Sequence, residues 1–287
     1  MSLGQTILLG ALAGFTIFIG LPVGRLRLLS SRARVALAMF AVGVLAFIFV
    51  DVLEHANEIV EDALAGFKDG EQSFGHLAGL TALLVGGFGL GSAGLGLLER
   101  CLRPGGTARP PVAGGAASAA VDSPATTRLR TEAELARRRA LQTGLVIAVA
   151  IGLHNFAEGL AIGVSARAGA VSLATVLIIG FALHNATEGF GIVGPLGNVT
   201  PSWRWLAVAG LIGGGPTFVG ALVGYQVTSE PLELAFYAVA AGAILYVIGE
   251  IWHGMRRQGH RELGLVLLAA GFAAGILTDL VVAYGGG

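Results

Sequence analysis

Thiols and charge are the scarcest features of this 287-residue chain, which has one cysteine, Cys101, and 13% charged residues. A single cysteine excludes an internal disulfide framework and any thiolate metal cluster. Soluble domains carry about a quarter charged residues, so this chain is not built to meet water over most of its surface. The few charges also balance, to a formal net charge of +0 at pH 7. That removes the basic footprint of a nucleic-acid-binding protein and gives no reason to expect an acidic partner. No H-E-x-x-H occurs, so the zinc hydrolase signature carried on a helix is absent. The first residues lack the basic start and small-residue cleavage site of a removable signal peptide, so the first apolar run is expected to stay as a helix.

What is abundant is apolar and small. Hydrophobic residues make up 54% of the chain and glycines number 46, with a mean hydropathy of +0.77. This is the composition of a polytopic membrane protein, and glycine fits it, because small residues let membrane helices approach closely. A span needs about 20 mostly apolar residues. Eight are expected, over 5–23, 35–57, 75–98, 140–165, 170–194, 203–227, 231–254 and 262–284. The predicted fold is all-α, one membrane domain in which residues 1–98 hold three helices and residues 140–287 hold five. Between them, 99–139 reads as a flexible loop rich in Pro, Gly, Ala, Ser and Arg, with a short helical stretch at TEAELARRR.

Arginine sets the orientation. The first loop holds Arg25, Arg27, Arg32 and Arg34, and the long loop holds eight more; Arg204, Arg256, Arg257 and Arg261 lie in later loops of the same side. The opposite loops hold only Lys68 and Arg167. By the positive-inside rule both termini face outward and the long loop is cytoplasmic.

Against this apolar background the sequence HNFAEG, His154 to Gly159, returns as HNATEG, His184 to Gly189. On a helix, residues four apart share a face, so His154 points with Glu158 and His184 with Glu188. Asn155 and Asn185 lie about 100° around their helices and can face a neighbouring site. Each motif falls near the middle of its span, and consecutive spans with a short connection pack antiparallel, so the two motifs can meet at one depth. Imidazole nitrogen, carboxylate and amide oxygen are donors for borderline divalent metals. An ion between them would offset the cost of burying the two acids. A polar network that only locks the helices together is the alternative for one His/Glu pair, and the repetition of the motif favours a site.

The paired H-N-x-x-E-G helices resemble spans four and five of the ZIP (Zrt-, Irt-like) divalent metal transporters. The likeness extends to eight spans, outward termini and a long cytoplasmic loop between spans three and four. It implies a bacterial, multi-pass protein of the cytoplasmic membrane that carries Zn2+, or else Fe2+, Mn2+ or Cd2+, as substrate. It also implies a transport site, often binuclear, between these helices. By position, His154, Asn155 and Glu158 match the fourth-span ligands, and His184, Asn185 and Glu188 match those of the fifth. The chain departs from the family pattern where proline is common before each glutamate, with Ala157 and Thr187 there instead. Gly215 stands where span six commonly offers a glutamate, and Asn185 stands where some relatives have aspartate. One well-formed metal position is therefore expected, with the second weak or absent.

Other polar residues mark a path. Asp51, Glu54, His55 and Glu58 share one face at the outer end of span two. This face reads as an acidic metal-collecting entrance, with Asp51, Glu54 and His55 as pathway residues or secondary metal ligands and Asp51 or His55 closest to the core site; the alternative is the solvated end of a helix. The resemblance places a family glutamate at Glu250 of span seven, a candidate secondary ligand or exit residue. Asp279 of span eight is either a transport residue or the partner of His76 in span three. Gly213-Gly214-Gly215-Pro216 predicts a bent or broken sixth helix. The expected function is inward transport of a divalent cation through the midplane pairs, and an intramembrane zinc-dependent hydrolase is the alternative. The glycine content is compatible with a homodimer in the lipid bilayer, without marking an interface.

Overall fold

The computed structural model describes residues 1–26, 30–102, 124–169, 171–226, 229–256 and 258–284, and among them every regular element is helical. In chain order these are α1 (Leu3–Phe15), α2 (Ile17–Gly20), α3 (Ser31–Lys68), α4 (Phe74–Gly89), α5 (Leu95–Leu102), α6 (Pro124–Arg167), α7 (Val171–Val193), α8 (Trp203–Gln226), α9 (Glu230–Arg256) and α10 (Arg261–Tyr284). A π turn, Leu90–Gly94, joins α4 to α5, and 3-10 turns follow α2 and α7 at Leu21–Arg25 and Gly194–Leu196. Four of these helices begin on serine caps, each accepting a bond from a backbone N–H of the first turn: Ser2 from Gln5, Ser30 from Ala33, Ser73 from His76 and Ser202 from Trp205.

Among the described residues, seven stretches are long and apolar enough to cross a membrane: Leu3–Arg25, Ser31–Lys68, Phe74–Cys101, Leu129–Arg167, Trp203–Gln226, Glu230–Arg256 and Arg261–Val281. The 23 residues of α7 give it about 34 Å at 1.5 Å per residue, enough for a hydrocarbon core of about 30 Å. The chain is a multi-pass, all-α membrane protein.

Two spans outrun the expected bounds. The second, expected to end at residue 57, continues to Lys68 because Glu58 to Ala65 contains no breaker and several good helix formers. It reaches about 57 Å and carries its acidic face beyond the apolar layer. The fourth begins at Pro124, so the helical stretch expected at TEAELARRR is the first part of α6. Residues 103–123 of the expected flexible loop, with Arg103 and Arg109, lie outside the described residues, as do Arg27 and Arg257. The sixth span differs in the other direction. α8 runs unbroken through Pro216 rather than breaking there.

The helices pack in two groups. α1, α6, α7 and α8 contact one another, and α3 contacts α4, α9 and α10, with α9 also against α4. The groups meet where α6 lies on α9 and α7 on α3 and α10. Within the first group, the glycine ending each repeated motif sits at a helix crossing. A Cβ on Gly159 of α6 would lie 2.8 Å from Ala221 N of α8. A Cβ on Gly189 of α7 would lie 2.8 Å from the Gly20 Cα of α2. Both would strike backbone, which cannot rotate aside, so these positions require glycine. Overpacking of this kind costs about 1–3 kcal/mol or more. Gly159→Val and Gly189→Val are each expected to lower the melting temperature of the purified protein by several degrees, about 2–4 °C per kcal/mol for a protein of this size. Gly215→Val serves as the comparison, since a Cβ at Gly215 meets nothing within 4 Å.

Candidate metal site

The two motifs meet between α6 and α7. His154 is 0% exposed, Glu158 5% and Glu188 1%, while His184 is part-buried. His154 Nε2 lies 2.9 Å from Glu158 Oε1, the i,i+4 pairing that the spacing predicts. His184 Nε2 reaches across from α7 to the same carboxylate oxygen. Glu188 stands behind, its Oε1 3.8 Å from His154 Nε2. One donor atom from each of His154, Glu158 and His184 fits within a 4.8 Å cluster, the only such His, Cys, Asp and Glu group among the described residues. Two nitrogens and a carboxylate oxygen at that spacing match the donor set of a borderline divalent ion.

The asparagines play a different part from the histidines. Asn155 donates to Glu188 Oε2 at 3.3 Å and to the Gly213 carbonyl of α8 at 2.9 Å. It therefore fixes the second glutamate and ties α6 to α8. Asn185 donates to the Ala13 carbonyl of α1 at 3.2 Å. Each amide nitrogen is thus engaged, while the oxygens Asn155 Oδ1 and Asn185 Oδ1 remain without hydrogen bonds. The same holds for Glu158 Oε2, Glu188 Oε1 and His154 Nδ1. Buried polar atoms are ordinarily paired, and so many unpaired acceptors within one buried cluster suit a cation.

The departures from the family pattern have local consequences. Thr187 donates its hydroxyl to the His184 carbonyl at 2.7 Å, a back-bond within the helix where proline would have removed one. Ala157 is buried and α6 stays regular around it. One helical turn from the site, Ile17, Ile151 and Ile192 converge on Gly213 from three helices, each at most 1% exposed.

A cavity of about 690 Å3 leads from the site toward the end of the molecule where α3, α6 and α10 finish and α7 and α9 begin. Its walls include His154, Glu158 and His184, and also Asp51 and His55, so these five sequence-predicted residues share one space. His55 Nδ1 is 2.9 Å from the Asp51 carbonyl and 3.8 Å from the Asp51 carboxylate. Glu54, on the same helix, is exposed and lies outside the cavity wall. Glu250 is half-buried about 20 Å further along α9 than the cavity residue Tyr237. Asp279 lines the cavity, while His76 faces Glu230 at 3.6 Å instead of Asp279. Two wall residues went unremarked in the sequence, Glu233 and Tyr237, whose hydroxyl donates to Glu233 at 3.2 Å. Their i,i+4 spacing near the start of α9 was the available signal.

The chain is also similar to known proteins. A model of the ZIP Zinc transporter family matches residues 115–248, a stretch that includes both motifs. Zinc transporter ZupT of Clostridium perfringens is 35% identical over 145 residues, an alignment covering 49% of this chain and 50% of that protein. Zinc transporter ZupT of Corynebacterium glutamicum is 30% identical over 269 residues, covering 91% of this chain and 94% of that one. With that near full-length kinship added to the motif-bearing match, the chain belongs to the ZIP zinc transporter family.

Proposed function

We propose that the chain carries divalent cations, zinc foremost, into the cytoplasm through a single metal position formed by His154, Glu158 and His184. Membership of a transporter family removes the hydrolase alternative: the protein is a divalent-metal transporter, not an enzyme. The observation that carries the proposed site is the cluster of three donors from two facing helices at the inner end of a wide, largely apolar cavity whose few polar wall groups include Asp51 and His55. Asp51 and His55 line that cavity and would collect the ion. It would then exchange water for imidazole nitrogens and the Glu158 carboxylate. Glu188, held by Asn155, adds negative charge 3.8 Å from His154 and is the nearest further ligand.

A second position would need acids that this chain lacks. Gly215 offers no side chain, and Asn185 presents a neutral amide where a carboxylate would add charge. One strong site and no strong second one is therefore the reading these residues support. Nitrogen and oxygen donors also accept Fe2+, Mn2+ and Cd2+, since donor type alone does not set selectivity. The face with most arginines is proposed as cytoplasmic, which puts the cavity on the outside.

Loss even of an outer partner costs about 10–100-fold in metal affinity. His154→Ala combined with Glu188→Ala should lower zinc flux into proteoliposomes by more than that, to the level of protein-free vesicles. Normal flux through a folded double variant would refute the site. Histidine must be neutral to bind metal, so binding releases protons. Zinc uptake is therefore expected to fall as external pH is lowered from 7.5 to about 5.5, across the ordinary imidazole range. Competition with excess Cd2+, Fe2+ and Mn2+ at both pH values should rank the ions, with Fe2+ competing more strongly than Mn2+.

A further inference from the structure

The molecule is open on one side of the metal site and shut on the other, and the shut side is held by few polar contacts between the two helix groups. A second, smaller cavity of about 290 Å3 lies at the opposite end from the first, between α3 and the end of α7. Along α3, Arg34, Leu37 and Ala38 border the smaller cavity, and Phe40 and Val44 border the larger. Along α7, Thr187 borders the larger and Phe190 the smaller. The two spaces thus follow one seam, divided by two residues along α3 and three along α7, less than one helical turn on each wall.

At the far end of that seam, Arg34 crosses from α3 to the turn after α7. Its Nη1 donates to Asn198 Oδ1 at 2.7 Å and to the Gly197 carbonyl. Gly197 has φ of +58°, a conformation that glycine adopts at no steric cost, and this fixes where its carbonyl points. Beneath the arginine, Ala38 is fully buried against Gly194, where a Cβ would come within 3.0 Å of the Ala38 Cβ. No carboxylate pairs with Arg34 among the described residues. A guanidinium bonded only to neutral oxygens holds more firmly than a neutral pair and less firmly than an ion pair. That is the strength suited to a contact that must open and reclose.

We propose that Arg34, with Gly197 and Asn198, is the latch that keeps the α3–α7 seam shut beneath the metal site, and that its release joins the smaller cavity to the site. The latch serves the transport reading above and rests on it for its purpose. Its existence is a matter of conformational equilibrium and can be measured apart from flux.

The test uses the full chain in proteoliposomes, in a Cys101→Ser background with Ala38→Cys as the reporter. A membrane-impermeant maleimide is applied to the face that carries the α7–α8 turn. Loss of a hydrogen bond from a charged donor corresponds to about tenfold in the open population. Arg34→Ala is therefore expected to speed modification of the reporter thiol about tenfold, and Asn198→Ala, which removes one acceptor only, by a smaller factor. Arg34→Lys, which keeps the charge and one donor, should fall between the two extremes. Labelling of a folded Arg34→Ala protein at the rate of its parent would overturn the latch. If Arg34→Ala does not fold, an unchanged rate in Asn198→Ala overturns it equally. Zinc flux of the unlatched and parent proteins is read in the same vesicles. A parent without flux would sink the transport reading while faster labelling still established the latch. A parent with flux and no labelling response would do the reverse.

Discussion

Two carboxylates buried at the centre of an apolar protein are the constraint to which the rest of this structure answers. Glu158 and Glu188 are 5% and 1% exposed, yet each keeps a carboxylate oxygen with no hydrogen bond. An unpaired charge in such surroundings is costly enough that it is found only with a partner. The protein supplies part of the compensation. Both histidines lean on Glu158 Oε1, and the Asn155 amide holds Glu188 Oε2. The remainder is left for a cation. A fully satisfied network would have made a rigid helix lock, and a partly satisfied one makes a place where an ion is worth more than it would be in water.

Holding the acids there requires the helices around them to close up without letting water in. The glycines that end the two motifs meet this need. Each follows its glutamate by one residue and brings a neighbouring helix backbone against the site, α8 behind Gly159 and α2 behind Gly189. Asn155 and Asn185 reinforce the same crossings through the carbonyls of Gly213 and Ala13. The six-residue repeat is thus a packing device as well as the proposed ligand set. His and Glu face the neighbouring motif, Asn grips the next helix, and Gly allows that helix to arrive.

Much of this was legible in the sequence because it depends on local spacing. The i,i+4 pairing of His154 with Glu158, the apolar runs and the clustering of Asp51 and His55 follow from helix geometry. What escaped was set by partners distant in the chain. Asn155 and Asn185 have equivalent places in their motifs, yet one holds a glutamate and the other a carbonyl of α1, because different helices lie beside α6 and α7. The pairing of His76 with Glu230 could not be read from two exposed helix ends, where several partners are within reach. Pro216 was expected to bend or break α8. The helix instead runs on, with three glycines ahead of the proline giving the backbone freedom to absorb its ring. Helix ends were misjudged for a simpler reason. Charge marks where a membrane span should end, but glutamate, alanine and arginine continue a helix in water, as α3 and α6 both do.

The asymmetry of the molecule follows from the same packing logic. On the cavity side the walls near the site are lined by polar groups from both helix groups, Asp51, His55 and Glu233 among them, which tolerate water. On the other side the layer next to the site is Ile17, Ile151 and Ile192, all within one group and all at most 1% exposed. An ion could not pass through that layer without dismantling a helix bundle held by backbone-to-backbone glycine contacts. The seam between the groups has no such contact at α3 and α7 beyond Ala38 against Gly194, and is closed by side chains that can move. Motion between two intact groups costs far less than motion within one, because interfaces repack more readily than cores. The distribution of glycine therefore separates what is rigid from what can open: the proposed ligands sit within the tightly packed group, and the proposed route past them lies along its edge.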